Sequence, residues 1–322
     1  MAVLNSSDQL TALELIKRNG YSADQRRIIE AMSVTNQILM DMPVFEANDG
    51  AVHTHLVRKA LPAGQRRALN QGVAAIATQT DTKKDIITEI AGESIVDAVL
   101  VERALDKNAF LMDEASGIIE GMGQTQAEDI IYGDNGTDPA SINGFATRRA
   151  KLDDKLCVSM GGSGNALTSL FLVKMGRRGT SLIYPRGAEG VGVKRENNGV
   201  GMVTKADGTR MRAYSNYFDA QYGVSVGDER SLIRLANIAI NVDAAVLVNS
   251  ILKAYRNLMP GDGSVVLYGN AEMLHIIDMY ITDKGNVNYT AQDPLGRATQ
   301  FLRDIRLRQV DSIKSDESAI TK

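Results

Sequence analysis

The run Met160-Gly161-Gly162-Ser163-Gly164-Asn165 has the composition of a loop that does chemistry, because glycines leave backbone amides open to an anion. It follows a strand-like stretch and precedes a helix-like one, the setting of a phosphate-cradling turn. No Gly-Lys-Ser or Gly-Lys-Thr follows. A small-molecule or phosphate-binding enzyme using Gly161–Asn165 is therefore the rival reading, and a plain flexible loop the ordinary one. A serine nucleophile elbow needs Gly-x-Ser-x-Gly, and the final glycine is missing. His53 and His55 alternate as two ligands on a strand would, yet the remaining histidine is the distant His275 and no cysteine or carboxylate cluster completes a zinc site. Asp134, Asn135 and Asp138 start like a calcium loop without its closing glutamate. Asp153-Asp154 reads as a solvated turn. No residue is assigned a catalytic, cofactor-binding or metal-binding role, and no cofactor is expected.

The elements that would have to position such groups belong to a chain of 322 residues, enough for about two domains, with 44% apolar residues for their cores. No repeat period recurs, which argues against a solenoid. The net charge of −3 is not that of a protein whose main task is to grip nucleic acid. A single cysteine, Cys157 between Leu156 and Val158, fits a reducing compartment and a small buried side chain. No apolar run reaches the roughly 18 residues of a membrane span, and Met1 to Gly20 lacks the pattern of a signal peptide. Folding in a cytoplasm is the expectation.

From Val44 to Thr80 the chain is long, basic in the middle and unable to bury itself. Leu61-Pro62-Ala63-Gly64 carries turn residues, and flanks of about 9 residues, roughly 30 Å each, could run as a hairpin. Alternation puts His53, His55 and Lys59 on one side and Thr54 and Arg58 on the other, with Arg66, Arg67, Asn70 and Gln71 over both on the return. Such a hairpin has no dry face, and a lone two-stranded hairpin is marginal in water. A partner surface is the natural source of its stability. Two short surface helices, His55 to Leu61 and Gly64 to Gln71, are the alternative.

Elsewhere the signals are more regular. Capping boxes at Ser6/Gln9 and Ser22/Gln25 predict arm helices from Asp8 to about Arg18 and from Asp24 to about Met40. Ala98, Val101, Leu105, Ala109, Met112, Ala115, Ile119 and Met122 recur at helical spacing and predict a long helix over Ile95 to Met122. Its other positions are mostly acidic, as a solvated face would be. Gly117, Gly121 and Gly123 weaken its last turns. Asp134 to Ala150 is a loop between two units. Short strands are expected at 170–173, 181–184, 191–194, 201–204 and 211–226, a meander and not a βαβ series. A helix is expected over Leu232 to Met259 with a break near Asn241, then a strand at 264–268, a helix at 271–281 and a mixed apolar and basic strand at 301–310.

Three blocks of sequence, IIEAMSVTNQILMDMPVFEAN from Ile28, HTHLVRKALPAGQRRALNQGV from His53 and DPLGRATQFLRDIRLRQVDSI from Asp293, together resemble the major capsid proteins of tailed bacteriophages of the epsilon-15 coat-like family. The resemblance implies an α+β subunit with the shell fold named after phage Hong Kong 97. Its parts would be an N-terminal arm (1–43), an extended loop (44–80), a peripheral domain with a long spine helix (81–134) and an axial domain with returning peripheral strands (135–322). It implies a protein that assembles with itself into hexamers and pentamers of an icosahedral head enclosing phage DNA, made in the host cytoplasm and ending in the virion. Scaffold, portal and decoration proteins are further partners it suggests, with packaged DNA held non-specifically inside and no membrane involved. In the family the extended loop lies across the neighbouring subunit. The contacts expected here are Arg58, Lys59, Arg66 and Arg67 against Glu102, Asp106, Asp113 and Glu114 of a neighbour's spine region. The family's lysine to asparagine crosslink is not carried over to Lys59. Because the family-like sequence begins by Ile28, assembly without proteolytic trimming of the N terminus is expected.

Overall fold

Leu167–Lys174 is buried along its whole length, so its side chains must meet apolar material on both faces, and they do. Leu170 and Leu172 face a core shared with two helices, while Phe171 and Val173 face a second core on the other side. This strand organises a computed structural model that describes residues 37–60, 63–188, 193–205, 207–261, 263–283 and 301–321.

In chain order, α1 (Gln37–Asp41), β1 (Val44–Glu46), β2 (Val52–Ala60) and β3 (Gln79–Asp97) lead into α2 (Ala98–Arg103), α3 (Lys107–Tyr132) and α4 (Phe145–Arg148). There follow β4 (Cys157–Ser159), β5 (Leu167–Lys174), β6 (Thr180–Tyr184), β7 (Lys194–Thr204), β8 (Arg210–Val226), a 3-10 turn (Glu229–Ser231) and β9 (Leu232–Ala239). The chain closes with α5 (Ala244–Asn257), β10 (Val265–Gly269), α6 (Ala271–Asp283), β11 (Phe301–Leu302) and β12 (Ile305–Gln309). Among the described residues these strands make two mixed sheets. One runs β1-β6-β8-β3-β2, with β7 also on β8; the other runs β11-β12-β10-β5-β9-β4.

The second sheet buries Leu170, Leu172, Ile233, Leu235, Leu267 and Leu307 against Leu247, Ile251, Met273 and Ile277 of α5 and α6. Its other face joins Tyr222 and Val224 of β8, Leu182 of β6, Ile38 and Met42 near the start, and Ile130 and Ile131 at the end of α3. That shared core locks the two sheets and the long helix into one body. Burial of this much apolar surface, at about 25 cal/mol per Å2, is the main term holding the fold.

α3 differs from the expected helix over 95–122 for readable reasons. Ile95, Val96 and Asp97 belong to β3, and Asp97 caps α2 by accepting from the Val99 amide. Asp106 then caps a new helix, accepting from the amides of Asn108 and Ala109. A side chain that satisfies two otherwise unpaired helix donors makes a strong start signal, and it breaks the stretch in two. The buried face is Leu111, Ala115, Ile119, Met122, Gln126, Ala127, Ile130 and Ile131, whereas Leu105 is fully exposed. Gly117, Gly121 and Gly123 do not end the helix, because tertiary packing outweighs their propensity. The 26 residues of α3 span roughly 39 Å.

Two further expectations are corrected. Residues 232–239 form a strand, not the first half of a helix, and the helix covers only 244–257. The return of the long loop does not pair with β2. Val52–Ala60 pairs instead with Gln79–Ile86 of β3, and 63–78 carries no strand or helix. The strands expected at 181–184, 201–204 and 211–226 are present within β6, β7 and β8, the one expected at 264–268 is β10 at 265–269, and the helix expected at 271–281 lies within α6. The arm helix at 8–18, most of the one at 24–40, Leu61-Pro62, and Val191 with Gly192 lie outside the described residues.

Candidate assembly interface

β3 is one unbroken strand that serves two structures. Up to Ile86 it pairs with β2, and from Ile87 to Asp97 it pairs with β8. The long loop is therefore a projecting arm whose second leg is also a strand of the body. At the crossover Gly223 of β8 lies so close that a β-carbon there would sit 2.6 Å from the Ile86 carbonyl oxygen. Only glycine fits such an approach.

A charged cluster sits at the root of the arm. Asp85, 1% exposed, accepts a hydrogen bond of 2.7 Å from Arg148 Nη2, and that same nitrogen donates to the Val224 carbonyl. Arg148 thus ties β3 to β8 through α4. Lys83 and Arg149 both pair with Glu229 of the 3-10 turn. Burial, together with Arg148 and Arg149, holds the Lys83 ammonium below its ordinary pKa. His53 and His55, on one face of β2, stack with ring centroids 5.9 Å apart. His55 Nδ1 lies 3.4 Å from Asp85 Oδ2 without hydrogen-bond alignment, and neither His55 nitrogen has a hydrogen-bond partner among the described residues. The His53 amide neighbour Asn48 donates its backbone N–H to His53 Nδ1 at 3.3 Å.

Beyond the root everything from residue 63 to 82 is exposed. The exposed side chains include Leu69, Val73 and Ile76, with Arg66 and Arg67 among them. Arg67 Nε donates to the Gln71 carbonyl at 2.6 Å, closing a turn in which Asn70 has φ of 64°. A second exposed apolar group lies on the body: Val99 and Leu100 of α2 and Leu105 at the α2–α3 break.

The residues singled out in the sequence are therefore spread over three places. Arg58 and Lys59 are on β2, Arg58 opposite Thr80 and Lys59 at a bulge in the ladder. Arg66 and Arg67 are on the loop. Glu102 is on α2, with Oε1 3.8 Å from Arg212; Asp106 is occupied as a cap; Asp113 and Glu114 are exposed on α3. Among the described residues no ion pair joins Arg66 or Arg67 to Glu102, Asp106, Asp113 or Glu114. Sequence reasoning missed Lys83, Asp85, Arg148, Arg149 and Glu229. The available signal was Asp85 standing next to Ile86-Ile87 in a run that must cross from solvent into the body.

The candidate chemistry falls away one group at a time. Met160 to Asn165 joins β4 to β5, so it precedes a strand and not a helix, and the dipole and free amides of a helix N-terminus are absent from the expected place. Gly162 is used in packing, its amide donating to the Asn237 carbonyl. Asp134 is consumed by the Thr137 hydroxyl and then the Gly136 amide, which hold its carboxyl below the usual range. Cys157 is buried, its thiol pushed up chiefly by that burial and directed at the Arg149 carbonyl. Among the described residues no group of His, Cys, Asp and Glu is arranged to hold a metal ion, and no helix is long and apolar enough to cross a membrane.

The structure superposes on that of bacteriophage Epsilon15 with a TM-score of 0.62 and 28% identity, covering 100% of both chains. It also matches the capsid of bacteriophage JBD30 with a TM-score of 0.52 over 97% of this chain and 99% of that one, at 9% identity, a likeness of fold. These are phage capsid folds of the Hong Kong 97 type, a mixture of helix and sheet. No curated protein matches in sequence. The family model described as "Major capsid protein GP7" matches residues 20–321. With a projecting arm, a long packed helix and an apolar tip that its own body leaves uncovered, this chain belongs to that family of major capsid proteins, the shell-forming subunits of phage heads.

Proposed function

We propose that this subunit builds an icosahedral head of hexamers and pentamers around phage genomic DNA, assembled in the host cytoplasm, and that the long loop is its principal intersubunit arm. The observation that carries this reading is the arm itself. It projects from the body on a two-stranded root, and it presents Leu69, Val73 and Ile76 to solvent. Exposed apolar side chains clustered on one projection call for a covering surface. A neighbour's shoulder around Val99, Leu100 and Leu105 offers an apolar match, with Asp113 and Glu114 on α3 as carboxylates for Arg66 and Arg67. Guanidinium forks suit carboxylates because they bond them bidentately. The subunit divides on this reading into an arm at 1–43, a loop at 44–80, a peripheral unit at 81–134 and an axial unit at 135–322. No catalytic step is assigned to it.

The test is replacement of 63–78 by a short Gly-Ser linker, with electron microscopy and sedimentation of the concentrated protein. Shells or tubes from the parent, small oligomers from the variant, and unchanged cooperative unfolding of both are the expected results. Shells from the variant at parental yield would overturn the role of the loop.

A further inference from the structure

The 3-10 turn that supplies Glu229 to the root of the arm also supplies Arg230 to a hollow of about 460 Å3, which the assembly reading does not use. Three segments form it. Arg177 and Arg178 come from the β5–β6 turn, Asp228 and Arg230 from the 3-10 turn and its cap, and Met259 and Gly261 from the chain after α5. The β5–β6 turn is closed by the Gly179 amide donating to the Gly176 carbonyl, and the Gly227 amide ties it down by donating to the Gly179 carbonyl, both at 2.9 Å. Its two arginines are thus displayed on fixed backbone. Asp228 is the only carboxylate lining the hollow among the described residues, and Arg230 occupies it, with Nη2 2.9 Å from Oδ2 and Nε 3.3 Å from Oδ1. The charges do not cancel. Arg177 and Arg178 are exposed and neither pairs with a carboxylate among the described residues, Arg177 lying over the Phe45 ring at 5.9 Å. Lys174, 7% exposed, donates to the Met259 and Gly261 carbonyls at 3.0 and 2.5 Å, so backbone oxygens solvate its charge without neutralising it. A buried charge is screened less than one in water.

We propose that this hollow is a phosphate-binding site, filled in the assembled head by phosphodiester groups of the packaged DNA. Guanidinium forks bond phosphate oxygens bidentately, which makes arginine the residue suited to such groups. A single carboxylate would answer one fork, whereas the duplex backbone carries a negative charge for every 1.7 Å or so of its axis and can answer two adjacent forks together. Contacts to phosphate carry no sequence information. That suits a shell, which must hold any stretch of its genome. The net charge of −3 fits a hold that is local and weak, because few contacts give an affinity that salt readily dissolves. The proposal rests on the head-subunit reading for the source of the phosphate, and on the hollow alone for its chemistry.

The test uses the full-length unassembled protein. Anisotropy of a short labelled DNA duplex is followed over a salt series for the parent and for Arg177→Gln/Arg178→Gln, with inorganic pyrophosphate as competitor. Loss of both forks should weaken binding about tenfold or more and reduce the slope of log K against log salt by about 2. Arg178→Gln alone should show half of that slope change, which keeps the test open should the double variant not fold. Pyrophosphate should displace the duplex from the parent better than chloride at equal ionic strength. Lys205→Gln/Arg210→Gln removes the same charge from exposed positions at the other end of β8, and it should bind as the parent does. Equal losses in the two double variants would reduce the effect to net charge and overturn the proposal, as would a parent that binds no DNA. Pyrophosphate binding without DNA binding would overturn DNA as the occupant. An arginine variant that binds DNA normally but forms no shells would assign these forks to a neighbour's acids, again against the proposal. Site-dependent DNA binding by a protein that never forms shells would leave the phosphate site standing and sink the head-subunit reading instead.

Discussion

Arg308 grips Asp41 with both arms of its guanidinium, Nε at 2.8 Å from Oδ2 and Nη2 at 3.1 Å from Oδ1, and Arg306 adds Nη1 at 3.1 Å. The Asp41 side chain is only 4% exposed. The pairing fixes the end of α1 onto β12, so two segments nearly a full chain apart close the same edge of the second sheet. The arginines of this mixed apolar and basic strand thus meet an acid of their own chain.

Asp41→Asn should therefore destabilise the subunit by about 1 to 3 kcal/mol, since it weakens the charge-assisted hydrogen bonds that a buried carboxylate accepts from two partly exposed arginines. Arg308→Lys should also lose stability, because a single ammonium cannot reproduce the fork. Chemical denaturation of both variants checks this. Parental stability in Asp41→Asn would show the pairing to be incidental.

Tyr222, fully buried, donates its hydroxyl to Asp129 Oδ2 at 2.6 Å. Burial raises the Asp129 carboxyl above its ordinary value despite this bond. A raised carboxyl binds its proton more tightly in the fold than in the unfolded chain, so this contribution to stability is present in acid and lost as pH rises through the folded value. Tyr222→Phe should cost about 1 to 2 kcal/mol near neutral pH, where the carboxylate loses its donor, and the deficit should shrink in acid. Urea titrations across the acidic range would reveal a pH-independent deficit if the bond mattered only as packing.

Charge reversal at Arg66 and Arg67 to Glu should slow assembly, and salt should weaken the parent in the same direction. Exposed ion pairs contribute only about 0 to 1 kcal/mol each, but a closed shell repeats every contact by symmetry. Asp113→Lys/Glu114→Lys is the rescue partner, because Glu102 faces Arg212 and Asp106 is committed as a cap. Light scattering at low salt decides it. Parental assembly rates in the reversed variant would mean that these arginines merely solubilise the loop.

A β-carbon on Gly92 would meet Ile118 Cγ2 at 2.8 Å, so the close seating of α3 on β3 depends on this glycine. Gly92→Val should cost about 1 to 3 kcal/mol by overpacking, and adding Ile118→Ala should recover part of it. Thermal melts of the single and double variants test the coupling; strictly additive losses would place the strain elsewhere.

What the sequence disclosed follows the strength of each local signal. β8 and β10 were legible because β-favouring runs lie between clear turns, and Cys157 because small apolar residues are buried wherever they fall. β9 was misread because Leu232, Ile233, Leu235 and Ile238 fit a helical spacing as well as they fit a strand buried on both faces. The break before α3 was hidden because Asp106 resembles one more solvated charge until its cap is seen. The partner of β2 escaped for a different reason. Gln79 to Asp85 is polar, and a polar strand gives periodicity nothing to register, while Pro62 and Gly64 drew attention to a tight turn that pairs nothing behind it. The root cluster draws on β2, β3, α4 and the 3-10 turn, and spacing along a chain cannot bring such distant segments together.

The continuity of β3 also sets how the subunit bears load. A pull on the tip along the arm reaches the body as shear along the ladder from Ile87↔Gly223 to Asp97↔Ala213. In that geometry the rungs share the force and must fail together, whereas a pull across the arm would peel β2 away one rung at a time. A shell stretched by its contents would thus find each subunit stiff along the arm and compliant across it.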